Sequence, residues 1–299
     1  MVYSHLTRNR LATILLVIAF VFFLTAISVI FSEIQTGDPF LFAAPTLLFA
    51  CFYVLVSLAF SKNTVLMMSH AEKMEEKDAP ELYHTLENLS ISRGVPMPAL
   101  YLIDDSAPNA FATGTFKKHS AIAVTTGLLE KLEKAEIEGV LAHELAHIQH
   151  EDTRLMTLIV LLVGVVTLIA DIFLRSLYHR GNRSRDGGKG SGVLLIIGIV
   201  LALLSPFIAQ LIKLAVSRKR EFYADAEAVL TTRYAEGLAS ALEKIAKDPE
   251  KLEVANHATA HLYIVNPFKG AEAAKLWNRM FSTHPATEER AKRLREMMT

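Results

Sequence analysis

His143-Glu144-Leu145-Ala146-His147 sits inside a run with helical periodicity that resumes at Lys134. Residues four apart share a helix face, so the two imidazoles can reach one cation. Glu144 points just off that face, where it can take a proton from an attacking water. The H-E-x-x-H spacing therefore predicts a helix that carries a metal-dependent hydrolytic site, with zinc as the expected ion.

Two histidines do not complete such a site; a third protein ligand is needed. One common completion places a glycine three residues after the second histidine and another histidine three beyond that. His150 and Thr153 stand there instead. His150 shares the face of His143 and His147, but its Cα lies ~10 Å along the axis from that of His143, a poor position for a shared ion. The other completion takes a glutamate from a downstream helix, and Glu221-Phe222-Tyr223-Ala224-Asp225 fits it. Glu221 and Asp225 lie one turn apart, so one can ligate while the other accepts a hydrogen bond from a ligand imidazole. The plainer reading is a solvated acidic face beside Arg218, Lys219 and Arg220.

Outward from the motif, the 299 residues are 52% apolar, and the excess is gathered in blocks. The stretches 11–32 and 39–61 carry no charged residue, and each can cross a ~30 Å hydrocarbon layer as a helix. The stretches 155–170 and 193–212 form a second pair, so two membrane hairpins are expected. Arg8 and Arg10 precede the first block and Lys62 follows the second, while Glu33 to Asp38 between them is acidic. The positive-inside bias puts the N-terminus and the chain after Ser61 in the cytoplasm. Arg180, Arg183 and Arg185 in the second turn oppose translocation, so that hairpin either spans against its charge bias or dips in. His147 lies shortly before the third block and Glu221 shortly after the fourth. A hairpin returns the chain to the side it left, which brings both halves of the site to one membrane face.

The remaining sequence reads as an α+β unit split by the second hairpin. A helix is expected from Asp78-Ala79-Pro80 to Arg93, ended by Gly94. Strands are expected at 99–103, 109–115 and 120–125, further helices over 217–247, and a last helix from Thr287. The expected organisation is a membrane hairpin at 1–61, a first catalytic half at 62–154, a second hairpin at 155–216 and a second catalytic half at 217–299. Lys plus Arg and Asp plus Glu both number 31, so no global field points to nucleic acid. Gly188-Lys189-Gly190 lacks the spaced glycine and the hydroxyl of a nucleotide loop. Cys51 is the single cysteine, which excludes a disulfide framework or a thiolate zinc cluster.

The chain resembles the HtpX family of bacterial membrane metallopeptidases, distant relatives of the zinc-dependent CAAX prenyl protease. The likeness runs through Asn109-Ala110-Phe111-Ala112-Thr113-Gly114, 122–128, 138–147, 217–225 and His284-Pro285, where Ala286 replaces a usual second proline. It implies an α+β, predominantly helical fold: a zincin-type catalytic domain integrated with about four transmembrane helices. It also implies one zinc ion held by His143, His147 and Glu221, with Glu144 as catalytic base and Asp225 behind the ligands. His284, with Arg290 as alternative or support, is the candidate donor to the oxyanion. Asn109 to Gly114 is read as an edge strand that pairs with an extended substrate. The implied role is ATP-independent quality control of misfolded or damaged membrane proteins, at the cytosolic face of the bacterial inner membrane. Processing of lipid-modified C-termini, and a silent scaffold or metal sensor, are the rival readings; a pure metal-binding module has no use for Glu144.

Overall fold

The computed structural model describes residues 2–181, 218–256, 258–268 and 285–297. The fourth apolar block, most of the turn before it and His284 lie outside these residues. The described chain is predominantly helical and carries one small sheet.

Helices α1 (Val2–Thr36) and α2 (Ala43–Met68) form the first hairpin. Asn9–Glu33 and Ala43–Met68, with mean hydropathies of 3.1 and 2.1, are long and apolar enough to cross a membrane. Large apolar side chains such as Phe22, Leu48 and Phe52 point outward from them. Helix α2 outruns the expected boundary at Ser61, because Lys62-Asn63-Thr64 continues the helix and Val65 and Leu66 are buried beyond it. Strand β1 (Ala71–Lys73) follows, and α3 (Pro80–Arg93) comes next. Pro80 stands in the first turn of α3, and Gly94 ends it with φ 62°. Asp78 does not cap this helix; its carboxylate accepts from the Glu75 N–H at 2.9 Å, and Ala79 takes the cap position.

Strands β2 (Ala99–Ile103), β3 (Ala110–Thr113) and β4 (Ala121–Thr125) complete a sheet of order β1-β2-β4-β3. The β2–β4 pair is parallel and the other two pairs are antiparallel. Helices α4 (Thr126–Lys131), α5 (Lys134–Gln149) and α6 (Asp152–Gly181) follow in close succession. Beyond the gap come α7 (Arg218–Thr232), α8 (Ala235–Lys247), a 3-10 turn at Ala260–Leu262 and α9 (Thr287–Glu296).

Alternation along the strands sends side chains to two cores. Leu100, Ala110, Ala112, Ile122 and Val124 pack with Leu86 of α3, Leu141 and Leu145 of α5, and Leu238 and Leu242 of α8. On the opposite face Ile103, Phe111, Ala121 and Ala123 meet Val65 and Leu66 of α2 and Met156 and Val160 of α6. Further along, Leu155, Leu158, Ile159 and Leu162 of α6 pack against Leu16 and Phe20 of α1 and Val54 of α2. The sheet is thus held between the helix carrying the His-Glu motif and the inner ends of the apolar helices.

Candidate active site

Helix α5 starts with a reciprocal capping box: the Glu133 side chain accepts from the backbone at Glu136, and the Glu133 N–H donates to Glu136 Oε2 at 2.7 Å. Glu136 also takes Ser240 Oγ at 2.5 Å and Lys244 Nζ at 2.8 Å, which ties α5 to α8. Three turns later His143, Glu144 and His147 are all buried, at 1, 2 and 5% exposure. The helix ends at His150, and Glu151 reverses the chain with φ 58°.

Helix α7 lies along α5 and presents Glu221 and Asp225, both buried. His143 Nε2 and His147 Nε2 are 3.1 Å apart. Glu221 Oε1 is 3.6 Å from His147 Nε2, and its Oε2 is 3.8 Å from His143 Nε2. A tetrahedral zinc with bonds of about 2.0–2.1 Å keeps its ligand atoms about 3.4 Å apart. The two imidazoles lie a little inside that value, each has a Glu221 oxygen a little outside it, and two imidazoles with one carboxylate are a donor set that zinc favours. His143, His147 and Glu221 fit the ion.

Behind the triangle, Asp225 Oδ1 lies 3.0 Å from His143 Nδ1. Asp152, the first residue of α6, sets Oδ2 3.0 Å from His147 Nδ1. Each histidine therefore offers Nδ1 to a carboxylate and turns Nε2 to the triangle. Asp152 was missed in the sequence, although a carboxylate five residues past the second histidine is a usable signal. Arg290 is fully buried and donates from Nε and Nη2 to both oxygens of Asp225, at 2.9 and 2.7 Å. Its Nη1 donates to the Ile264 carbonyl at 3.0 Å and lies 3.6 Å from Glu221. His150 stands apart from the triangle, edge-on to Tyr223 with its Nε2 4.0 Å from Glu227.

Burial is the largest influence on each titrating group. It pushes Glu144 up to about 7; the Glu221 charge adds to the rise, and His147, the Ala112 N–H and Arg290 oppose it. It pushes His143 down to about 4, with Arg290 and His147 reinforcing and Asp225 opposing. For His147 burial acts downward too, but the bond to Asp152 and the charges of Glu221, Asp152 and Glu144 outweigh it, to about 9. Burial would raise Asp225, yet Arg290 and His143 hold it below the usual carboxylate range.

Strand β3 is the sheet's terminal strand next to the motif. Thr125 N–H donates to the Asn109 carbonyl, so Ala110 and Ala112 direct their backbone groups away from β4. The Ala112 N–H reaches Glu144. The Ala110 carbonyl accepts from Ile264 N–H at 2.9 Å, and Asn109 Nδ2 donates to the Val265 carbonyl at 3.0 Å. Gly114 N–H donates to Thr157 at 3.1 Å. Much of the edge expected to be open to substrate is engaged by the chain's own residues.

The peptidase family M48 model matches residues 76–298. The protease HtpX homolog of Tropheryma whipplei (strain Twist) is 43% identical over 297 residues, covering 99% of both chains. That of Dictyoglomus thermophilum is 41% identical, covering 99% of this chain and 94% of its own. That of Ligilactobacillus salivarius is 36% identical, at 99 and 100%. Among solved structures, S. mikatae Ste24p aligns with a TM-score of 0.49 at 20% identity, over 97% of this chain and 66% of its own. The chain belongs to peptidase family M48, alongside the HtpX protease homologues, and is a metalloprotease.

Proposed function

We propose that His143, His147 and Glu221 hold one zinc ion and that Glu144 moves the protons of peptide-bond hydrolysis. The observation that carries this is the compact triangle of their ligand atoms, all within 4.8 Å of one another although Glu221 is far along the chain. Bound zinc supplies Lewis acidity that polarises a peptide carbonyl and acidifies water. Glu144, with its affinity for protons lifted close to neutrality, accepts a proton from the attacking water and delivers it to the leaving amine. Asp225 keeps the His143 proton on Nδ1, and Arg290 holds Asp225 through two parallel bonds. We assign the oxyanion donor to His284 from sequence alone, with Arg290 in support. An extended substrate adds to the outer edge of β3, using the Ala112 carbonyl that faces away from β4.

The substrates we propose are misfolded or damaged membrane proteins, cleaved internally on the cytosolic side of the bacterial inner membrane without ATP. Two observations support this: apolar helices that pack directly beneath the catalytic sheet, and a sequence with no nucleotide loop. We also propose four membrane helices in two hairpins, with the catalytic domain of zincin type split by the second. The test is Glu144→Gln in the full chain, reconstituted in lipid with an unfolded membrane protein as substrate. Zinc content should match the parent while cleavage falls by at least about a hundredfold. Cleavage at the parent rate would reject this mechanism.

A further inference from the structure

The turn that follows His147 is gripped by the first apolar helix. Asn9 Nδ2 donates to the His150 carbonyl at 3.0 Å and to Asp152 Oδ1 at 2.6 Å. Arg10 closes two bonds on Glu151, at 3.0 and 2.7 Å. Helix α1 thus holds both residues that join α5 to α6 and the first residue of α6 itself. From α7, Arg220 brings Nε to 3.5 Å from Asp152 Oδ1 and donates Nη1 to Asn9 Oδ1 at 3.4 Å. Asn9, Asp152 and Arg220 are buried, at 2, 4 and 7% exposure. Arg220 is the immediate neighbour of Glu221. One buried polar node therefore touches α1 and both helices that supply the triangle. Burying such groups is costly unless each bond is made, so the node fixes its members' orientation.

We infer that Asn9 and Asp152 are positioning residues of the metal centre, which makes α1 part of that centre as well as its anchor. The inference rests on the reading of His143, His147 and Glu221 as zinc ligands. A neutral imidazole can carry its proton on either nitrogen, and an acceptor at Nδ1 decides which one is left to bind metal. Asp152 Oδ2 is that acceptor for His147. Its other oxygen is fixed by Asn9 and faces Arg220, so the carboxylate cannot turn away.

The test uses the full chain in detergent. Zinc affinity is read by competition with a chromophoric chelator, and ligand geometry by the visible spectrum of the cobalt-substituted protein. Asp152→Asn, a change of one atom, should weaken zinc binding about 10–100-fold. Asn9→Leu should weaken it about threefold or more, being one bond further out. Both should shift the cobalt bands, while Ile18→Val on the exposed face of α1 leaves both readouts unchanged. A role in packing alone would lower the melting temperature of the metal-free protein and leave affinity and spectrum at parent values, and that result overturns the inference. If Asn9→Leu does not fold, Asp152→Asn still decides. His147→Ala separates the two levels: zinc retained there removes the ligand reading itself. Zinc lost there, with Asn9→Leu and Asp152→Asn binding as the parent does, removes only the inference.

Discussion

In the metal-free protein His147 holds its proton to about pH 9 and Glu144 to about 7, both above their ordinary values of 6.5 and 4.5. A raised value means that the folded state binds the proton more tightly than the unfolded one. The stability gained from His147 is complete below 6.5 and is lost as pH rises through 9; that from Glu144 is lost as pH rises through 7. The melting temperature of the metal-free protein should therefore fall between pH 6.5 and 9.5. On the proposed ligand set zinc must displace the His147 proton, so its apparent affinity should climb by up to about tenfold per pH unit from 7 to 9. A flat affinity over that window, measured by chelator competition, would show that His147 gives up no proton to the metal. Arg290 offers a second check. Arg290→Met leaves Asp225 buried opposite Glu221 with no guanidinium, at a cost of about 3–5 kcal/mol. Chemical denaturation of the metal-free variant measures it, and parent stability would count against the buried pair. At this scale the sequence was readable wherever two functional groups sit one helical turn apart: His143 with His147, and Glu221 with Asp225. It was silent on the contact between Asn9 and Asp152, which meet across 143 positions and leave no local spacing to read.

Helices α5 and α8 approach so closely that glycine is required on both. A Cβ on Gly139 would lie 2.8 Å from the Leu238 nitrogen, and one on Gly237 would lie 2.5 Å from the Ala135 carbonyl. The obstructing atoms are backbone, so a methyl group there must separate the helices. Gly139→Ala should cost about 1–3 kcal/mol and lower the melting temperature accordingly. An unchanged melting temperature would mean that the two helices have slack. The strands were the most legible elements: β2 coincides with its expected range, and β4 starts one residue late. Their apolar runs between polar turns leave little ambiguity. Strand β1 escaped because Ala71-Glu72-Lys73 is short, mostly polar and paired only with β2, so its strand character comes from the neighbour. The overrun of α2 was hidden for the opposite reason. Lys62 and Asn63 look like a membrane exit, yet the helix continues because the lower face of the sheet needs Val65 and Leu66.

Across the whole molecule, one sheet joins two environments. Its upper face rests on α5, whose buried turn carries the histidines, and its lower face on the inner ends of α2 and α6. The triangle of His143, His147 and Glu221, the β3 edge and the apolar helices are consequently one mechanical unit, with Thr157 of α6 bonded to Thr113 of β3 and to Gly114 just beyond it. The nearness of the motif to α6 was legible as an outline, because the apolar stretch from Leu155 follows His147 closely in sequence. How the edge is filled was not, since Val265 meets Asn109 across 156 positions of sequence. The most direct measurement is zinc content, with X-ray absorption at the zinc edge, on the purified full chain and on Glu221→Ala. The expected result is one zinc per parent chain with nitrogen and oxygen neighbours at about 2.0–2.1 Å, and loss of the ion in Glu221→Ala. Full zinc content with an unchanged absorption edge in Glu221→Ala would contradict the convergence of these two helices on one ion.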